Sequence, residues 1–185
     1  QTIKLVFEWL EKSVKTADPE AREKMHNAST MAGMAFANAF LGMSHSMAHK
    51  IGAVHHTVHG RTNAILLPYV IRYNGTRPSK TTTWPKYNYW KADEKFQDIA
   101  RMLGLPHSTP EEAVEAYAKA VYELGVAVGI KMNFKDQGID EKAWKDSLHE
   151  IALLAYEDQC SPANPRLPMV ADMEEIMADA YYGYA

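Results

Sequence analysis

Apolar residues in this chain recur at intervals of three and four, and almost nowhere do they alternate with period two over more than four residues. Amphipathic helices need the first pattern and half-buried strands the second, so the sequence predicts an all-helical fold, a bundle of about seven helices with no sheet. Thr2 to Lys15 carries Ile3, Leu5, Val6, Trp9, Leu10 and Val14 as one buried stripe. Asp18-Pro19-Glu20 then supplies a capping carboxylate, a proline in the first turn and an acid beside it, a strong helix start. From there a long helical pattern runs to about Met43, through Met25, Ala28, Ala32, Ala35, Phe36, Ala39 and Phe40, and its small residues permit close helix approach. The methionines at 25, 31, 34, 43 and 47 read as packing residues.

Further helices are expected over Ser44 to Val54 and Gly60 to Tyr73, the latter stopped by a left-handed Asn74-Gly75. Thr76 to Tyr89, with two prolines and a threonine triplet, reads as an ordered surface loop. Helical patterning resumes over Lys91 to Leu103, after Thr109-Pro110-Glu111-Glu112, over Glu141 to Glu157 and over Val170 to Tyr182. The sequence has 185 residues, 46% hydrophobic and 23% charged, which excludes disorder and leaves a single domain spanning residues 1–185 as the expectation. The one cysteine forms no intrachain disulfide and fits a reducing, cytoplasmic setting. A formal net charge of −3 without a basic block argues against nucleic acid, and no apolar run approaches the roughly 18 residues of a membrane span. Gln1 has neither a cap before it nor an initiator methionine, so the chain reads as a fragment of a longer one.

The one compositional irregularity is chemical. Five of the eight histidines, at 45, 49, 55, 56 and 59, fall within fifteen positions. Neutral imidazole is a good ligand for zinc, iron, nickel and copper, and two or three of them with a carboxylate make a catalytic metal site. On a helix, His45 and His49 share a face, and His55 and His59 repeat that spacing, although Gly52, the doubled histidine and Val58-His59-Gly60 point to a break between helices. Spacing alone does not choose among the pairs 45/49, 55/59 and 45/59, and a cluster with no ligand role is the plain alternative. The small-residue helix before the cluster and the apolar Ala64-Ile65-Leu66-Leu67-Pro68 after it suggest burial, which a bound metal would offset.

The run Gly42 to Gly60, continued by Arg61-Thr62-Asn63-Ala64-Ile65-Leu66-Leu67-Pro68-Tyr69-Val70-Ile71-Arg72-Tyr73-Asn74, resembles the signature of the iron-containing (group III) alcohol dehydrogenases. Asn27 to Phe40 and the stretch from Trp84 to Trp90 look like the bifunctional aldehyde-alcohol dehydrogenase branch of that family, and the likeness extends from Gln1 to Ala185. It implies the helical C-terminal domain of the dehydroquinate synthase-like fold. It also implies one Fe(II), or zinc in some relatives, held by an aspartate and three histidines. Two of those histidines match His45 and His59, fourteen positions apart, which makes His49 a non-ligand. The residue matching His49 lies near the metal and the nicotinamide, in a proton-relay or positioning role. His55 and His56 are left structural or at the rim.

The resemblance also marks Phe36 and Cys160 as substrate-pocket residues, against the plainer readings of a core phenylalanine and a small buried hydrophobe. The Asn164-Pro165-Arg166 triplet is assigned to loop geometry. No Asp-x-x-x-His segment precedes His45, and the glycine-rich dinucleotide-binding region is absent. The implied chain therefore carries half of a metal site and one wall of an NAD cleft. The implied reaction is reduction of acetaldehyde to ethanol with NADH, with the rest of the same enzyme and further copies, as homo-oligomer or filament, as partners. The other expectation is a helical self-association module without useful metal affinity.

Overall fold

The computed structural model describes residues 1–78 and 90–183, and these form eight α-helices, one short 3-10 turn and no strand. In chain order the helices are α1 (Thr2–Thr16), α2 (Pro19–Ala39), α3 (Met43–His55), α4 (His59–Gly75), α5 (Ala92–Leu103), α6 (Pro110–Ala127), α7 (Glu141–Tyr156) and α8 (Val170–Tyr182), with the 3-10 turn at Ser161–Ala163 between the last two. Most of the expected loop from Thr76 to Tyr89 lies outside the described residues. Trp90, just after it, donates from its indole nitrogen to the Asn74 carbonyl.

Helix starts follow side-chain chemistry. Asp18, Thr109 and Asp140 each accept a hydrogen bond from a backbone N–H in the first turn of the helix they precede. Glu112 reaches back to the Ser108 N–H, which ties the α6 start from both sides. Gly104, at φ 70°, closes α5.

Two apolar clusters organise the interior. The larger joins α3, α4, α7 and α8 around Met47, Ile51, Leu66, Ile151, Met173 and Tyr181, with Phe134 and Trp144 stacked beside Tyr181. The smaller joins Ile71 of α4 to Val114, Tyr117 and Ala118 of α6, with half-buried side chains from α1 and α5 around it.

Four local expectations are corrected. The long helix ends at Ala39, because Phe40 takes a left-handed φ of 63° and Gly42 is extended. The stop expected at Asn74-Gly75 does not form: both residues are helical, Asn74 is buried, and Gly75 is the point where α4 meets Val114 of α6. α1 has no fully buried residue, and Val14 is exposed, because α1 lies beside the smaller cluster and pairs mainly with α2. On α2 only Ala21 and Ala28 are buried. Met34 stands exposed, whereas Met43 and Met47 pack at the centre of the core.

Candidate active site

Met43, Met47 and Ile51 recur every fourth residue on α3 and are wholly buried, which fixes the rotation of that helix. His45 and His49 then fall together on its half-buried flank. After His55 the chain reverses through His56, at φ 54°, and α4 begins at His59. This turn carries His59 back toward α3. Asn63, one turn into α4, donates to both the carbonyl and Nε2 of His59, each at 3.2 Å, and its Oδ1 accepts from the Ser44 hydroxyl at 3.0 Å. Thr62, fully buried, binds the Val58 carbonyl and the Thr57 hydroxyl across the same turn.

The three rings form a triangle. Their centroids lie 5.4 Å apart for His45 and His59, 5.3 Å for His49 and His59, and 6.2 Å for His45 and His49. An ion about 2 Å from each of two imidazole nitrogens, at a tetrahedral angle, sets ring centroids roughly 5 Å apart. The nitrogen lone pairs lie in the ring planes, so two ligating rings must have planes that meet at the ion. The planes of His45 and His59 cross at 53°, whereas those of His49 and His59 are stacked within 15°. The crossed planes and separation of the pair 45/59 are compatible with a shared ion, although His59 Nε2 accepts from Asn63 here, and the near-parallel, stacked rings of the pair 49/59 are less suited to one. The 68° crossing of His45 and His49 comes with a separation too wide for that angle.

The cluster is not the buried pocket expected from its apolar neighbours: His59 is exposed and the other two histidines are half-buried. Burial, then the charges of His59 and His49, push the His45 imidazole below its usual pKa, which favours the neutral ligating form.

The far side of His49 meets a residue the sequence did not single out. Asp158, in the turn after α7, presents Oδ2 at 3.3 Å from His49 Nδ1 and 2.9 Å from Lys50 Nζ, while Oδ1 accepts from the Cys160 N–H at 3.0 Å. Its side chain is 8% exposed. Burial works to raise this carboxyl, but hydrogen bonds from the Cys160 N–H, Lys50, His49 and the Cys160 thiol together hold it well below the usual carboxylate range. Burial and the adjacent Asp158 push the Cys160 thiol up. A single acidic residue 109 positions from His49 leaves no periodic or spacing signal in the sequence.

The structure thus brings His45, His49 and His59 together and sets Cys160, 1% exposed, beside the Asp158 carboxylate. Phe36 is 47% exposed near the end of α2 and belongs to neither apolar cluster, so the core reading of this residue fails. His55 bonds the Ser147 hydroxyl at 3.0 Å and packs on Trp144, and with His56 it lines a separate cavity of about 280 Å³. Asn164 is buried and ties α3 to α4, with bonds to the Met43 N–H and to the Asn74 side chain.

Comparison with known proteins decides the lineage. The model of the C-terminal domain of the Fe-containing alcohol dehydrogenases matches residues 1–181. The chain belongs to this family. It is 80% identical over 184 residues to an aldehyde-alcohol dehydrogenase of Streptococcus pneumoniae (serotype 2, strain D39) and 60% identical over 185 residues to aldehyde-alcohol dehydrogenase 2 of Entamoeba histolytica. Each match takes in 100% of the chain and 21% of the relative, so the chain spans about a fifth of the length of these enzymes. Among solved structures, the iron-containing alcohol dehydrogenase of Thermococcus thioreducens superposes with a TM-score of 0.79 at 35% identity, over 99% of this chain and 43% of that one.

Proposed function

We propose that this chain is the metal-binding helical part of an NAD- and iron-dependent alcohol dehydrogenase that interconverts acetaldehyde and ethanol, within a bifunctional aldehyde-alcohol dehydrogenase. The observation that carries the reading is the pairing of His45 and His59, whose ring planes and 5.4 Å separation suit one shared ion. Their donor chemistry fits Fe(II) and zinc alike, and the likeness to the iron-containing alcohol dehydrogenase of Thermococcus thioreducens favours iron. An aspartate and a third histidine from the preceding part of the enzyme would complete the set. When bound, the metal supplies Lewis acidity toward the alcohol or aldehyde oxygen.

The chain's own residues do the rest. His49, one turn from His45 and outside the ligand pair, takes the hydroxyl proton during alcohol oxidation and returns it during aldehyde reduction, and it faces the nicotinamide of NAD, which the rest of the enzyme holds. Phe36 and Cys160 border the substrate. The reading puts the dehydrogenase in the cytoplasm; among the described residues no helix is long and apolar enough to cross a membrane.

A second reading has its own observation. Met34 and Phe36 near the end of α2 and Phe40 just beyond it stand 47% to 58% exposed, and the main partner of α2 is α1 alone. Exposed apolar side chains of this kind suit self-association into a homo-oligomer or filament, with metal affinity incidental. Metal titration separates the two. The dehydrogenase reading expects weak iron affinity and no alcohol dehydrogenase activity in this chain alone, both rising sharply when the preceding part of the enzyme is supplied. Tight binding that survives His45→Ala overturns it. Oligomers that form in proportion to concentration and ignore chelators support the module.

A further inference from the structure

We propose that Asp158 is a positioning residue for His49: its carboxylate accepts a hydrogen bond from the imidazole Nδ1–H and so reserves the lone pair of Nε2 for the site. Imidazole carries one proton in its neutral form, and the hydrogen bond made by one nitrogen decides which nitrogen holds it. Asp158 meets the requirements of such an orienter. It is 8% exposed, so water competes little for its oxygens, and its low pKa keeps it an acceptor. The Cys160 N–H occupies Oδ1, which stops the carboxylate from rotating away and leaves Oδ2 for His49 and Lys50.

The turn that carries Asp158 is itself fastened to α3. Ser161 donates to the Ala155 carbonyl at 2.7 Å and bonds the Ser46 hydroxyl at 3.1 Å, both serines being buried, and Ser46 adjoins His45. The contact therefore spans the first turn of α3 and the end of α7, and it sets the register between His49 and Asp158 to within a hydrogen bond. Lys50 balances the charge on Oδ2, so the carboxylate orients the ring without requiring a second imidazole proton.

A ring nitrogen of His49, a carboxylate oxygen of Asp158 and Cys160 Sγ also lie within 4.8 Å of one another, a spacing that a cation could use. A cation there would displace Lys50 from Oδ2 and deprotonate a thiol that burial and Asp158 both hold protonated. The positioning role asks for neither.

This inference rests on the proposed dehydrogenase reading only for the use His49 makes of its proton, and its primary test needs neither metal nor activity. In the metal-free full chain with ¹⁵N-labelled histidine, long-range proton–nitrogen correlation spectra at pH 8 should show His49 protonated at Nδ1. Asp158→Asn, which offers an amide N–H in place of one oxygen, should move the proton to Nε2, and Asp158→Glu should keep it at Nδ1. A wild-type His49 protonated at Nε2, or a tautomer unchanged by Asp158→Asn, overturns the proposal even if a variant folds poorly. In the full-length enzyme, Asp158→Asn should lower kcat roughly 10- to 100-fold, the scale of a residue that supports an active-site imidazole, with KM and iron content near wild type. Loss of iron with kcat per bound metal preserved overturns the role. Correct tautomers in a full-length protein without dehydrogenase activity would remove the functional reading and leave the positioning intact.

Discussion

Gly42 lies so close to Asn164 that a methyl group on its α-carbon would stand 2.7 Å from the Asn164 Oδ1. Asn164 cannot easily retreat, because it is 1% exposed and bonded to the Met43 N–H, the Asn74 side chain and the Arg166 carbonyl. The backbone at Gly42 is extended, a conformation open to alanine, so the penalty of a substitution is one of space. Gly42→Ala is expected to destabilise the fold by about 1–3 kcal/mol, the usual scale for overpacking, as a lowered urea midpoint at unchanged slope.

The same steric logic joins α4 to α6. A β-carbon at Gly75 would meet both Val114 methyls, at 2.4 and 2.7 Å, with the Val114 β-carbon at 3.2 Å. Gly75→Ala should cost about 1–3 kcal/mol despite the better helix propensity of alanine. Trimming the obstacle should recover part of it. A double-mutant cycle with Val114→Ala, read by urea denaturation, should therefore show Gly75→Ala to be less harmful in the trimmed background, and strict additivity would argue against the contact as the cause.

These two glycines show where sequence reading stops. The beginnings of α2 and α6 were legible because Asp18 and Thr109 act within one turn of their own position, and Gly104 ends α5 by its own backbone freedom. Gly42 and Gly75 owe their roles to Asn164 and Val114, which are distant in the chain, so periodicity ran past Phe40 and mistook Gly75 for a stop. The histidines divide the same way. Their crowding was visible, but the ring planes that distinguish 45/59 from 49/59 depend on the left-handed turn at His56, and Asp158 depends on the end of α7 folding back onto α3.

Asp158 should leave a mark on acid stability. Its folded carboxyl titrates below the unfolded value of about 3.9, so its contribution is fully present above that value and is lost as the pH falls toward the folded one. Asp158→Asn removes the titrating group. Urea denaturation of both proteins at pH 6 and pH 3 should show a larger drop for the wild type, and equal drops would mean that Asp158 gains nothing from its hydrogen bonds in the native state.

Replacement of individual histidines should sort them by ring geometry. His45→Ala and His59→Ala each remove one of two rings whose planes meet, and each should lower the iron affinity of the full-length enzyme by more than the 10- to 100-fold typical of a supporting residue. His49→Ala should retain iron near the wild-type level while activity falls, because its ring is stacked on His59 and bonded to Asp158. His56→Ala, at an exposed turn outside the triangle, should disturb iron binding only through backbone strain, so His56→Gly, which accepts φ 54° readily, should bind iron as the wild type does. Chelator competition with metal analysis of the purified variants measures all five, and iron loss confined to His49→Ala would reverse the assignment.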